Sequence, residues 1–137
     1  VPADLKLIHQ VKYSPVLLQE YIEKKYEIRA TEVGKRVFAA KIDSQALENT
    51  KDDWRCYEFG SPPPHEPIEL LIPIQSRLIQ MNERLNIKFG AYDLIYTEKG
   101  KYLFLEVNAN GQWGWIQELT KMPISSAIAE ILIKEGK

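Results

Sequence analysis

Asp93, Glu106 and Asn108 form the set of oxygen-bearing side chains in this chain best placed to act together. They lie in two strand-like runs, residues 91–97 and 102–108, separated by the turn signal Glu98-Lys99-Gly100-Lys101. A turn centred on Lys99-Gly100 pairs residues whose numbers sum to about 199. Tyr92 then faces Val107, Leu94 faces Leu105 and Tyr96 faces Leu103, which makes one face wholly apolar. On the other face Thr97 meets Tyr102, Ile95 meets Phe104, Asp93 meets Glu106 and Ala91 meets Asn108. A slip of one residue scrambles that sorting. The two carboxylates stand roughly 5 Å apart at Cβ, where like charges are destabilising. Asn108, two residues beyond Glu106, shares its face. A hard divalent cation relieves the repulsion, and oxygen donors suit Mg²⁺ or Mn²⁺. A solvated polar end of a hairpin accounts for the same spacing, and spacing alone leaves both readings open.

Ala109-Asn110-Gly111-Gln112-Trp113-Gly114-Trp115-Ile116 follows directly. Glycines around a tryptophan let backbone approach a ligand closely. The alternative is a turn whose tryptophans pack on the core, and Trp115 is read that way. Nucleophilic chemistry finds little support. Cys56 is the single cysteine, and although Arg55 beside it favours a thiolate, no histidine is spaced to form a dyad. Cys56 is read as a packing residue. His9 and His65 are isolated in sequence, which argues against zinc.

These residues need a scaffold. The chain has 137 residues, 45% hydrophobic and 27% charged, which suits a single globular domain over residues 1–137. A net charge of -1 offers no basic field for nucleic acid. No apolar run approaches the roughly 18 residues of a membrane span. One cysteine excludes an internal disulfide and fits a reducing, cytoplasmic setting. An oligomer is neither required nor excluded.

Residues 4–10 read as a short helix, and Val16–Ile22, after Pro15, as a β-rich run. Tyr26–Val33 and Arg36–Ile42 read as strands of a hairpin turning at Gly34-Lys35. Residues 44–53 read as a loop and Trp54–Phe59 as a short strand. Ser61–Pro67, with four prolines, reads as an extended connection outside any ladder. Pro73 opens a helix with the stripe Ile74, Leu78, Met81 and Leu85, Met81 serving as core packing. Pro123 opens another, with Ile124, Ala127, Ile128, Ile131 and Leu132. The expected class is α+β, a mainly antiparallel sheet with helices packed on one face.

Leu105-Glu106-Val107-Asn108 after Gly90-Ala91-Tyr92-Asp93 resembles the metal-binding end of the ATP-grasp ligases. Gln19-Glu20-Tyr21-Ile22 followed by Glu27-Ile28-Arg29 resembles their hinge and the strand after it. Asp53-Trp54-Arg55 and Asn110-Gly111-Gln112-Trp113 are similar to the ATP-grasp maturases of ribosomal peptides, the microviridin (graspetide) type. The strings run from about Pro15 to Ile131, and their order is more specific than any one of them.

The resemblance implies the C-terminal half of an ATP-grasp domain. It implies an ATP- and Mg²⁺-dependent ligase that joins a carboxylate to an amine or hydroxyl through an acyl phosphate. Asp93, Glu106 and Asn108 match the metal ligands, Glu20 and Tyr21 the adenine hinge, and Glu27 the ribose-binding acid. Arg55 matches a cation on the terminal phosphate. Arg29 and Lys41 are further basic candidates near phosphate or substrate, with strand-surface charge as their alternative. The phosphate-covering lysine and Gly-rich loop have no counterpart in the 18 residues before Gln19, so the remainder of the same enzyme is expected upstream and the isolated chain is expected to be inactive. Ala109 stands where related ligases often have proline. The partner is a peptide or a small carboxylate. Two other readings stay open: a small-acid ligase similar to glutathione synthetase, and a non-catalytic peptide-binding module with an exposed Trp113.

Overall fold

Alternation in one strand, Tyr26–Val33 (β1), organises the fold. Ile28 and Ala30 point to one face of the sheet, and Arg29, Thr31 and Val33 to the other. All five are buried, as the centre of a sheet covered on both sides requires. The computed structural model describes residues 4–17, 19–58 and 60–136. Its other strands are Arg36–Ile42 (β2), His65–Ile68 (β3), Phe89–Tyr96 (β4) and Tyr102–Asn108 (β5). They form one antiparallel sheet in the order β3-β2-β1-β4-β5. The helices are Ile72–Leu85 (α1), Gly114–Thr120 (α2) and Ile124–Glu135 (α3). The class is α+β on an antiparallel sheet, as expected.

The helices divide between the two faces instead of sharing one. Leu78 of α1 packs with Ile28, Ala30, Ala39, Tyr92 and Leu94, and Ile74 and Met81 join them. Ile116 of α2 and Ile124 and Ala127 of α3 pack with Val33 and Ala40 on the opposite face, joined by Trp113. Val33 and Ala40 give the second face an apolar patch that α2 and α3 cover, which the periodicity of the helices alone does not reveal. Leu85 and Leu132, expected within the stripes, are exposed at the helix ends.

Four segments differ from expectation. Residues 15–17 and 19–24 form no strand, and Leu18 lies outside the described residues. Val16, Leu17 and Tyr21 are exposed, so no burial favours pairing there. Residues 54–58 are turns and irregular backbone, with Phe59 outside the described residues. Asp53 Oδ1 accepts the Arg55 N–H at 3.0 Å, a local bond that competes with a ladder. The proline-rich segment does join the sheet: His65–Ile68 pairs with β2, Pro67 opposite Ala40. Proline is tolerated because β3 is an edge strand. Near the N-terminus, Asp4–Tyr13 is a 3₁₀ helix, longer than expected.

The β4–β5 hairpin keeps the expected register at one end only. Ala91 pairs with Asn108, Tyr92 with Val107 and Asp93 with Glu106. Nearer the turn, Leu94 pairs with Phe104, Ile95 with Leu103 and Tyr96 with Tyr102. The turn has three residues: the Gly100 N–H donates to Thr97 O and the Thr97 N–H to Lys101 O, both at 3.0 Å. Gly100 has φ +73°, the left-handed position of such loops. A bulge between Asp93 and Leu94 leaves Leu105 as the extra residue and restores the register beyond it. Tyr102 and Phe104, not Leu103 and Leu105, therefore meet Tyr96 and Tyr92.

Candidate functional site

Three charged residues stand abreast on the face covered by α2 and α3. Arg29 of β1 pairs with Asp93 of β4, which pairs with Glu106 of β5. The next rank is Thr31, Ala91 and Asn108. Asp93, Glu106 and Asn108 thus share one face of the hairpin. The Arg29 Nη1 donates to Asp93 Oδ1 at 2.8 Å and Oδ2 at 2.9 Å. Its Nη2 donates to the Gln112 carbonyl at 3.2 Å, tying the sheet to the loop after Asn108. Arg29 is buried, Asp93 half-buried and Glu106 exposed, so the row opens toward solvent at β5.

The loop after Asn108 is drawn tightly onto this row. Asn108 Oδ1 accepts the Asn110 N–H at 2.9 Å, an Asx-type turn. A Cβ on Gly111 would lie 2.5 Å from Ala91 Cβ and 2.9 Å from Arg29 Nη2, so only glycine fits. The glycine admits sheet and arginine side chain to close contact with the loop.

The donor set suits a hard cation. The Glu106 carboxylate makes no hydrogen bond or ion pair with another described residue. The Asp93 oxygens and Asn108 Oδ1 each keep lone pairs beyond the bonds they accept. Among the described residues no three His, Cys, Asp or Glu side chains cluster. Two carboxylates and an amide are few protein ligands, which matches a cation that retains waters and takes phosphate oxygens.

A loop at residues 51–58 flanks the row. Arg55 is paired with Asp53, Nε to Oδ1 at 2.8 Å and Nη2 to Oδ2 at 2.9 Å. That bond, followed by the fields of Asp53, Asp93 and Glu106, raises the Arg55 pKa against desolvation, and Arg55 in turn lowers that of Asp53. The Arg55 guanidinium is thus within electrostatic reach of both carboxylates. The loop is tied to the segment before β1, where the Tyr21 hydroxyl donates to Asp52 Oδ1 at 3.1 Å and Lys24 Nζ to the Asp52 carbonyl at 2.7 Å. Glu27, buried on the same sheet face as Arg29, accepts from Lys24 at 2.6 Å. Glu20 is exposed in the irregular segment beside Tyr21.

Lys41 does not join this group. It pairs with Ile28, which packs under α1, so it lies on the opposite face from Arg29. There it sits over the Tyr26 ring at 5.5 Å and 3.6 Å from Glu66. Strand alternation decides this, because positions 40 and 41 face opposite ways. Cys56, read as packing, is exposed. Trp113, read in one alternative as exposed, is half-buried against Val33, Ala40 and Ile116.

One cluster escaped the sequence reading. The Trp54 and Trp115 rings stack at 4.8 Å, and His65 meets both edge-on, at 5.9 and 5.4 Å. His65 Nδ1 contacts the Pro63 carbonyl, and burial lowers its pKa against the opposing effect of that contact. The three residues come from distant segments, so no spacing signals their meeting.

Solved structures are similar to the chain in fold and sequence. The Chryseobacterium gregarium RiPP-associated ATP-grasp ligase, in complex with ADP and a leader and core peptide, superposes with TM-score 0.86 at 33% identity, over 98% of this chain and 41% of that one. The macrocyclase MdnC of Microcystis aeruginosa MRC, bound to its precursor peptide MdnA, gives TM-score 0.81 at 33% identity over 98% and 41%. MdnB of the same organism gives 0.69 at 27% over 96% and 44%. The chain spans about two fifths of the length of these structures. No protein-family model and no curated protein sequence matches it.

Proposed function

We propose that this chain, an ATP-grasp fold of the ribosomal-peptide ligase type, is the metal- and phosphate-binding C-terminal part of an enzyme that modifies a ribosomal peptide. The observation that carries this reading is the rank Arg29, Asp93, Glu106 with Asn108 beside it, in a chain 33% identical to ligases solved with ADP or with a precursor peptide. Both relatives at that identity are peptide-bound, which favours a peptide over a small free acid. An ATP-dependent reaction and a single cysteine support a cytoplasmic setting.

The reaction transfers the γ-phosphoryl of ATP to a substrate carboxylate and releases ADP. An amine or hydroxyl then attacks the acyl carbon, losing its proton, and phosphate leaves with the bonding pair. Amide or ester results. Asp93, Glu106 and Asn108 would hold Mg²⁺, which when bound neutralises phosphate charge. Arg29 holds the Asp93 carboxylate in place through two hydrogen bonds. Arg55 exchanges its Asp53 partner for the transferring phosphoryl, whose charge a positioned cation stabilises. Glu27 accepts from ribose hydroxyls, and the backbone near Glu20 and Tyr21 meets adenine. Positioning and charge neutralisation are the protein's contributions, and no side-chain nucleophile is required.

The test is calorimetric titration of MgADP into the full-length gene product and its Glu106→Gln and Asp93→Asn variants. Glu106→Gln should abolish the Mg²⁺ dependence of nucleotide affinity. Unchanged Mg²⁺ dependence in both variants would remove the metal from this face.

A further inference from the structure

Arg55 lies in a loop without regular structure, and an arginine in such a loop acts on a phosphoryl group only if something holds the loop. Its local bonds, to Asp53 and between Cys56 N–H and the Asp53 carbonyl, set its own turn but not its place above the sheet. Tyr21 and Lys24 tie the start of the loop, at Asp52, to the segment before β1; toward α2 the fastening is aromatic. Trp54, the residue before Arg55, stacks on Trp115 with centroids 4.8 Å apart and planes at 25°. His65 of the edge strand β3 braces both rings edge-on. Ile116 of α2 is fully buried against the sheet. Successive helix residues point about 100° apart, so seating Ile116 turns Trp115 sideways, toward the loop. The same helix begins at Gly114, directly after the loop that Arg29 and Gly111 press onto Asn108.

We propose that Trp115 is a positioning residue: by stacking on Trp54 it fastens the Arg55 loop to the helix that also ends the Asn108 loop, so that the phosphate-facing cation and the carboxylate row keep one fixed relation. The inference rests on the functional reading above, in which Arg55 meets the terminal phosphoryl group. An offset aromatic stack is favourable beyond the area it buries, enough to select one loop arrangement over others of similar energy.

Two readouts test it in the full-length gene product. The first is far-ultraviolet circular dichroism without nucleotide. Stacked indoles give an exciton couplet, which Trp115→Leu and Trp54→Leu should each remove to the same extent. The second is affinity for MgADP alone and for MgADP with aluminium fluoride, a mimic of the transferring phosphoryl. Trp115→Leu should weaken the fluoride complex about tenfold or more and leave MgADP affinity within about twofold. Arg55→Ala should do the same, and the double variant should lose no more than either alone. Trp115→Phe, which can still stack, should recover most of the loss. Additive losses, or an equal loss for MgADP alone, would overturn the proposal. Impaired Arg55→Ala with intact Trp115→Leu would overturn it and leave the function standing. Intact Arg55→Ala would overturn the Arg55 assignment on which it rests.

Discussion

Arg29 and Asp93 are cross-strand neighbours on β1 and β4, joined by two hydrogen bonds from one guanidinium nitrogen, at 2.8 and 2.9 Å. The pair partly offsets the repulsion between Asp93 and Glu106 across the hairpin. It also fixes the loop after Asn108, because the other terminal nitrogen of Arg29 reaches Gln112. Replacing Arg29 by Met should therefore cost on the order of 3 kcal/mol, since a half-buried carboxylate loses its partner and the Gln112 carbonyl its donor. Urea unfolding at neutral pH measures this, and a loss below about 0.5 kcal/mol would mean that the pair is only a surface contact.

Arg55→Ala should lower kcat by on the order of 10²-fold while KM for ATP changes little. The contrary view is that Arg55 serves only its ion pair with Asp53, an exposed contact of about 0–1 kcal/mol that leaves catalysis alone. Steady-state kinetics of the full-length gene product with its peptide substrate decides. Near-wild-type kcat in a folded variant takes Arg55 out of the active site.

Gly111→Ala should weaken both fold and site. The new methyl would stand 2.5 Å from Ala91 Cβ and 2.9 Å from Arg29 Nη2, so loop and guanidinium must both shift. Overpacking of this kind costs about 1–3 kcal/mol. Thermal unfolding should show the loss, and calorimetry a parallel drop in affinity for MgADP. Wild-type values in both would mean that the loop yields without disturbing Arg29.

Glu32 supplies a pH dependence away from the site. It is 2% exposed, its Oε1 accepts the Lys35 N–H and its Oε2 has no partner. Burial raises its pKa from 4.5 to about 7, Glu83 of α1 adding to the effect and Lys35 in the turn opposing it. Between those values the folded state holds a proton that the unfolded state has released. Stability therefore falls as pH rises through that window, by on the order of 3 kcal/mol in all at about 1.4 kcal/mol per unit. Glu32→Gln keeps an acceptor for Lys35 and carries no charge, so its stability relative to wild type should rise from pH 5 to pH 8. Denaturant titrations at the two pH values check this, and a constant difference would mean that Glu32 ionises as freely folded as unfolded.

Residue order is enough wherever short-range physics governs. Period-two alternation and a Gly34-Lys35 turn, both residues at positive φ, delimit β1 and β2. Prolines at positions 73 and 123 and the stripes behind them delimit α1 and α3. Near Asn108 the apolar sorting of the β4–β5 hairpin was enough to pair Asp93 with Glu106. Tertiary structure alone decided the rest. The three-residue turn at Gly100 and the bulge at Leu105 each shift the ladder by one residue and cancel before the site, so Asp93 meets Glu106 although the pairs nearer the turn differ from those of a two-residue turn. Which helix covers which face, the seating of Pro67 at an edge, the isolation of Lys41 and the meeting of Trp54, His65 and Trp115 all join segments far apart in sequence. Such contacts form only when the whole sheet closes, because each depends on how a distant strand is ordered and on which side a helix crosses it.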